Sequence, residues 1–297
     1  MTGQRSIIMH FPLLMIGERK PEDIIRDLNG LHKKEIKFIN NEIKLIDLKN
    51  HQVITDKQIL EYDYLIISLG VEYHPETVPG FREYALNAYQ FEDVITISQK
   101  LHRFNSGRIV LFISSLPYRC PPAPYEIMFL LDCFFRKRGL RNEISLTLVT
   151  PDYSPEPLAG PKVGQSIRKM MAEKNIELIT TAKVLEVEKD ALILDLGARI
   201  PADLLLGIAP HWTPQILRDT DLVDSNGYVE VNPHTLETKY QGVYAIGDNA
   251  AIKLPVIGAD APKAGIFVHY QGEVVARNIA RLAQGLEPKF RYTGKGA

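Results

Sequence analysis

The sequence predicts an α/β protein built from open, mostly parallel sheets of the Rossmann type. Three observations carry this. The run Ile109-Val110-Leu111-Phe112-Ile113 is uninterruptedly apolar, as strands buried on both faces are. Between residues 106 and 208 such runs alternate with helical patterns in the order strand, helix, strand, helix, strand. A later apolar run, Val243-Tyr244-Ala245-Ile246, ends in Gly247-Asp248, where a sheet of this class lets a ligand approach.

From the N-terminal side, residues 21–31 have Ile24, Ile25 and Leu28 at helical spacing. Residues 36–48 alternate loosely, and 51–54 with 57–60 suggest a hairpin. Residues 62–70 read as a buried strand ending at Gly70, then a loop with Pro75, Pro79 and Gly80. Residues 108–113 are a strand, and 124–137 a helix stopped by Gly139. Strands are expected at 144–150, 176–180 and 202–208, a helix at 163–174, and a strand-rich stretch at 183–196. Residues 227–231 and 243–248 lead into a long helix over 263–282, with Arg277 and Arg281 on its exposed face.

Chain length bounds the organisation: 297 residues leave room for two domains. Apolar residues make up 45% and charged residues 24%, with a formal net charge of -1. That balance gives no reason to expect a nucleic-acid partner. Two cysteines fit a reducing compartment rather than a disulfide scaffold. No apolar run is long enough to span a bilayer, and residues 1–16 lack signal-peptide order. A cytoplasmic location is therefore expected, and no metal site.

Two motifs narrow the reading. The strand ending at Gly70 and the run Thr238-Lys239-Tyr240-Gln241-Gly242-Val243-Tyr244-Ala245-Ile246-Gly247-Asp248 flank the α/β segment. This arrangement resembles the pyridine nucleotide–disulfide oxidoreductase superfamily, in which an FAD domain is interrupted by an NAD-type domain. Pro117-Tyr118-Arg119-Cys120-Pro121-Pro122-Ala123-Pro124-Tyr125-Glu126 is similar to the cysteine segment of sulfide:quinone oxidoreductases and of the flavoprotein subunit of flavocytochrome c sulfide dehydrogenase. Pro262-Lys263-Ala264-Gly265 resembles their flavin-facing turn.

The resemblance implies two Rossmann-like domains: residues 1–105 and 208–297 as parts of the FAD domain, and 106–207 as the NAD-type insert. It also implies a member shortened at both ends. No Gly-x-Gly-x-x-Gly turn occurs, so the first FAD βαβ unit is missing; Phe11-Pro12-Leu13 already resembles a later family segment. The family also continues beyond Ala297. The implied cofactor is FAD, held by Gly70, Gly247, Asp248, Pro262, Lys263, Ala264 and Gly265. The implied partners are sulfide or another small sulfur compound and a quinone or cytochrome acceptor. Peripheral membrane contact through later elements and a homo-oligomer stay open.

The residues add their own argument. Asp248 can accept a hydrogen bond from a sugar or ribityl hydroxyl. The turn after Ile113 has no glycine between Ser114 and Glu126 and carries four prolines without N–H groups, so NAD binding there is not expected. Arg119 and a helix start near Pro124 favour the thiolate of Cys120. Lys263 could stabilise an anionic reduced flavin, and His211 carry a proton. The paired-cysteine sulfur chemistry of the family lacks its second thiol in Val256-Ile257-Gly258-Ala259-Asp260-Ala261. Cys133 lies about 13 Å along the helix from Pro124 and is expected to pack in the core. The leading expectation is thus an FAD-dependent oxidoreductase of the sulfide:quinone type using Cys120, Lys263 and His211. The alternatives are another FAD-dependent NAD(P)H oxidoreductase, such as a type II NADH dehydrogenase relative, or a flavin-less, non-catalytic fragment.

Overall fold

The computed structural model describes residues 4–6, 10–254 and 258–295; Val256 and Ile257, in the segment without a second cysteine, lie outside the described residues. The chain forms two compact units. One comprises Ile39–Glu72 and Trp212–Ala297, the other Thr2–Phe38 and Tyr73–His211. These boundaries differ from those read at 105/106 and 207/208. The reason lies in packing: Ala85–Asn87 is the edge strand of the inserted unit's sheet, and Phe11–Met15 packs on Phe91–Arg103 there. The Phe11 and Phe91 rings sit 6.0 Å apart.

The inserted unit is built on a five-stranded parallel sheet. Its spatial order is Ile176–Ile179, Ile144–Val149, Gly107–Ile113, Leu204–Ile208, Ala85–Asn87. The strand Gly107–Ile113 shows how the sequence makes this. Side chains alternate across a strand. Ile109, Leu111 and Ile113 enter one core with Met128, Leu131 and Phe135 of the helix Ala123–Lys137. Val110 and Phe112 enter the opposite core with Val187, Leu192 and Leu205. That second face is covered by the antiparallel meander Val184–Glu188, Ala191–Leu194, Arg199–Pro201. Both faces are dry, which is why the run reads as continuously apolar.

The other unit carries the antiparallel strands Ile43–Asp47, Gln52–Thr55 and Ile59–Glu61. It also pairs Leu65–Ile67 in parallel with Val243–Ala245. The long helix Gly265–Leu282 packs its Val275 into a core with Ile67, Leu236, Val243 and Ala245. The chain passes between units at Glu72–Tyr73 and returns at His211–Trp212, and these two short strands pair.

Two expectations for the elements fail. Residues 21–31 are not one helix. Pro21–Ile24 makes a single turn, Ile25–Asp27 pairs antiparallel with Gln4–Ser6, and Leu28–Lys34 is a 3-10 segment. Asp27 starts that 3-10 segment by accepting the Asn29 N–H at 2.8 Å, an Asx turn. The strand at 62–70 contracts to Leu65–Ile67, of which Ile67 is buried and Ile66 exposed.

Asp132 ties the helix Ala123–Lys137 to Arg141 and Lys174. Its side chain is 1% exposed and accepts from Arg136 Nε at 2.9 Å and Arg141 Nε at 2.7 Å, with Lys174 Nζ at 3.4 Å. Burial alone would raise its pKa; the Arg136 and Arg141 hydrogen bonds overcome that and hold it below the ordinary value. A depressed carboxyl stabilises the fold above its unfolded pKa and loses that contribution as pH falls through the folded value. Asp132→Ala should cost about 3–5 kcal/mol at neutral pH by stranding Arg141, measured as a drop in thermal midpoint that shrinks in acid.

Candidate functional site

The first candidate site lies at the end of the strand Val243–Ala245. Gly247 adopts φ +78°, and a Cβ added there would meet the Val268 side chain at 3.3 Å. Its N–H is held by Gln271 Oε1 at 2.9 Å from the long helix. Asn249 is fully buried; its Oδ1 accepts the Gly70 N–H at 3.1 Å, which ties the end of the neighbouring strand to this turn. Lys263 turns its ammonium inward, with Nζ donating to Asp248 O at 2.8 Å and Ala250 O at 3.3 Å. That nitrogen sits 4.0 Å from the centre of the Tyr228 ring. Burial lowers the Lys263 pKa to about 8, against the pull of Asp248, Asp260 and Asp224.

Around these groups is a small, partly open recess lined by Gly247, Asp248, Ala250, Ile252, Ala261, Pro262, Lys263, Val268 and Gln271. Of the residues expected here, Gly247, Asp248, Pro262 and Lys263 come together. Gly70 joins through Asn249 rather than lining the recess; Ala264 is the N-cap and Gly265 the first residue of the helix Gly265–Leu282. The glycine permits the left-handed turn, Asp248 supplies an acceptor, and Lys263 a cation whose pKa is lowered to about 8.

The second candidate site belongs to the inserted unit. It lies where the sheet order reverses, past the ends of Gly107–Ile113 and Leu204–Ile208, the crevice in which open α/β sheets take ligands. Cys120 sits there with φ +52°, a left-handed conformation rare for a residue with a Cβ. Tyr89 OH donates to Cys120 O at 3.0 Å. The Arg119 guanidinium lies 5.0 Å from the Tyr73 ring centre and 6.0 Å from that of Tyr89. His211 meets both rings edge-on, at 5.0 and 5.8 Å. Its Nδ1 is 2.7 Å from Ala209 O, so that nitrogen carries a proton.

The expected thiolate is not favoured. Burial pushes the Cys120 thiol up; an Ala123 backbone hydrogen bond and the Arg119 charge pull it down without prevailing, and Glu126 and Glu156 add to the rise. The neighbouring cation was legible in sequence; the depth of the turn was not. Cys133 also departs from expectation. It is exposed, facing away from the core that takes Leu131, Phe134 and Phe135.

Glu156 was not singled out in the sequence, because Ser154-Pro155-Glu156-Pro157 reads as a plain loop. Its Oε1 is buried without a hydrogen-bond partner, and burial together with the Asp152 charge pushes its pKa up to about 7. Tyr89, Gln271 and Asn249 were missed too, since aromatic and amide side chains carry no chemical signature without their partners. A carboxyl with a raised folded pKa favours the fold while protonated and loses that as pH rises through the folded value. Glu156→Gln should therefore gain about 1–2 kcal/mol over the parent on going from pH 5 to pH 8, after allowance for solvent screening. Thermal midpoints at the two pH values check this; parallel shifts of both proteins would sink it.

Known proteins share this architecture. Residues 134–271 match the family model described as pyridine nucleotide-disulphide oxidoreductase. The sulfide-quinone reductase of Aquifex aeolicus is 28% identical over 91% of this chain, and the mitochondrial sulfide:quinone oxidoreductase of Mus musculus 25% identical over 95%. The crystal structure of the Aquifex aeolicus sulfide:quinone oxidoreductase superposes with a TM-score of 0.86 at 26% identity, covering 95% of this chain and 70% of that one. Over residues 134–271 the chain is thus similar to the pyridine nucleotide-disulphide oxidoreductases. It spans 66% and 64% of the lengths of those two curated relatives. Like the superfamily fold it matches, this chain is a mixed α/β structure of Rossmann-like units. Among the described residues no cluster of His, Cys, Asp and Glu could hold a metal ion, and no helix is long and apolar enough to cross a membrane.

Proposed function

We propose that the protein is an FAD-dependent oxidoreductase of the sulfide:quinone type, oxidising a reduced sulfur compound at Cys120 with a quinone or cytochrome as final acceptor. The observation that carries this reading is the recess in which Lys263 is folded against the Gly247–Asp248 turn, in a chain 25–28% identical to sulfide:quinone oxidoreductases. The residues fit the cofactor: Lys263 offers a cation and Asp248 a hydroxyl acceptor beside the Gly247 turn, whose φ of +78° needs a glycine. Bound FAD would supply a two-electron acceptor.

This chain's own groups do the rest. Lys263, with a pKa of about 8, holds positive charge at neutral pH where negative charge develops, and can release a proton there. Cys120, a protonated thiol at rest, becomes the sulfur nucleophile once its proton is taken. His211, fixed through Nδ1 to Ala209 O, is the base we assign to that proton. Cys133 takes no part, being exposed on the same helix that Cys120 precedes. Anaerobic mixing of the FAD-loaded full gene product with sulfide should bleach its yellow band, and Cys120→Ser should slow bleaching by about two orders of magnitude or more. A band that neither sulfide nor a persulfide bleaches would remove the sulfur assignment.

A further inference from the structure

Arg119 is the unexplained group of the inserted unit. Its Nε is buried with no hydrogen-bond partner, and no carboxylate pairs with it among the described residues. Arg119 is half-buried, and the donor on its shielded Nε edge has no protein acceptor, so a donor held there favours an acceptor from outside the chain. Its neighbours are the faces of Tyr73 and Tyr89. Tyr89 also fixes the backbone of Cys120 through its hydroxyl, so cation, rings and thiol belong to one cluster. Cation–π seating leaves the planar edge of a guanidinium, with its N–H donors, available for an anion.

We propose that Arg119, seated on Tyr73 and Tyr89, is an anion receptor that draws small anionic sulfur species, such as the hydrosulfide ion, to Cys120. This rests on the reading of Cys120 as the sulfur-handling thiol. It specifies the charge state in which the substrate is taken: the anion rather than the neutral dihydrogen sulfide. Arg119 is a positioning residue in this account. The Glu126 and Glu156 carboxyls act on the same thiol and repel anions, so Arg119 has to outweigh them.

Alkylation of Cys120 tests this without flavin or sulfide. In a Cys133→Ser background, which removes the exposed thiol, the full chain is treated with iodoacetate, an anion, or iodoacetamide, its neutral counterpart. The rate ratio of the two is compared with that of 2-mercaptoethanol. The ratio at Cys120 should exceed the reference by about fivefold or more, as a nearby cation at reduced dielectric predicts. Arg119→Gln should return it to the reference, and Arg119→Lys, which keeps the charge, should retain part of the excess. A ratio at the reference in the parent, a ratio unchanged in Arg119→Gln, or no reaction with either reagent overturns the proposal. A chain that prefers iodoacetate yet is never bleached by sulfide keeps the receptor and loses the proposed activity.

Discussion

Lys263→Met is expected to erase a pH-dependent contribution to stability of about 2–3 kcal/mol between pH 8 and pH 10.5. The sign comes from linkage. The folded chain binds the Lys263 proton with a pKa of about 8, against an ordinary value of 10.5. Between those values the unfolded chain holds more protons, so stability rises with pH. Below pH 8 the fold carries the full cost of the buried ammonium, and above 10.5 none of it. Methionine removes the titration but also strips the donor from the Asp248 and Ala250 carbonyls, at about 1–3 kcal/mol. The net change at neutral pH is therefore small, and the slope is the signature. Thermal midpoints from pH 7 to 10 in both proteins check it; a slope that survives in Lys263→Met removes the inward ammonium as its source. In the FAD-loaded protein the same variant should slow sulfide bleaching by a factor on the order of 10².

The second large effect concerns Gly207, in the middle of the strand Leu204–Ile208. A Cβ there would stand 2.7 Å from the Phe112 ring and closer still to Phe81. Those two rings pack edge to face at 5.3 Å and close the core between sheet and meander. Gly207→Val must part them, at upwards of about 3 kcal/mol, because close-packed interiors absorb added volume poorly. Gly30→Ala, where nothing lies within 4 Å, should change stability by less than about 0.5 kcal/mol. Comparable losses in both variants would show that the ring pair yields without cost.

The sequence carried those features that local pattern encodes. The double burial of Gly107–Ile113 is written in its unbroken apolar run, and the glycine-terminated strand at Val243–Ala245 announces the Gly247–Asp248 turn. Residues 21–31 misled because three apolar positions at helical spacing do not record that Gln4–Ser6 will pair with Ile25–Asp27. The charge state of Cys120 was out of reach for the same reason. Arg119 beside it is visible in sequence, but Glu156 is 36 residues away and the burial that dominates comes from tertiary packing. Gln271, 24 residues beyond Gly247, became part of a site only when the long helix was seen to lie against that turn.

The pairing of Glu72–Tyr73 with His211–Trp212 means that the stretch 73–211 departs and re-enters at one doorstep. The segment 73–211 does not stand alone, however, because Phe11, Leu14, Met15 and Ile24 complete its core, so a change in that core reaches back to the start of the chain.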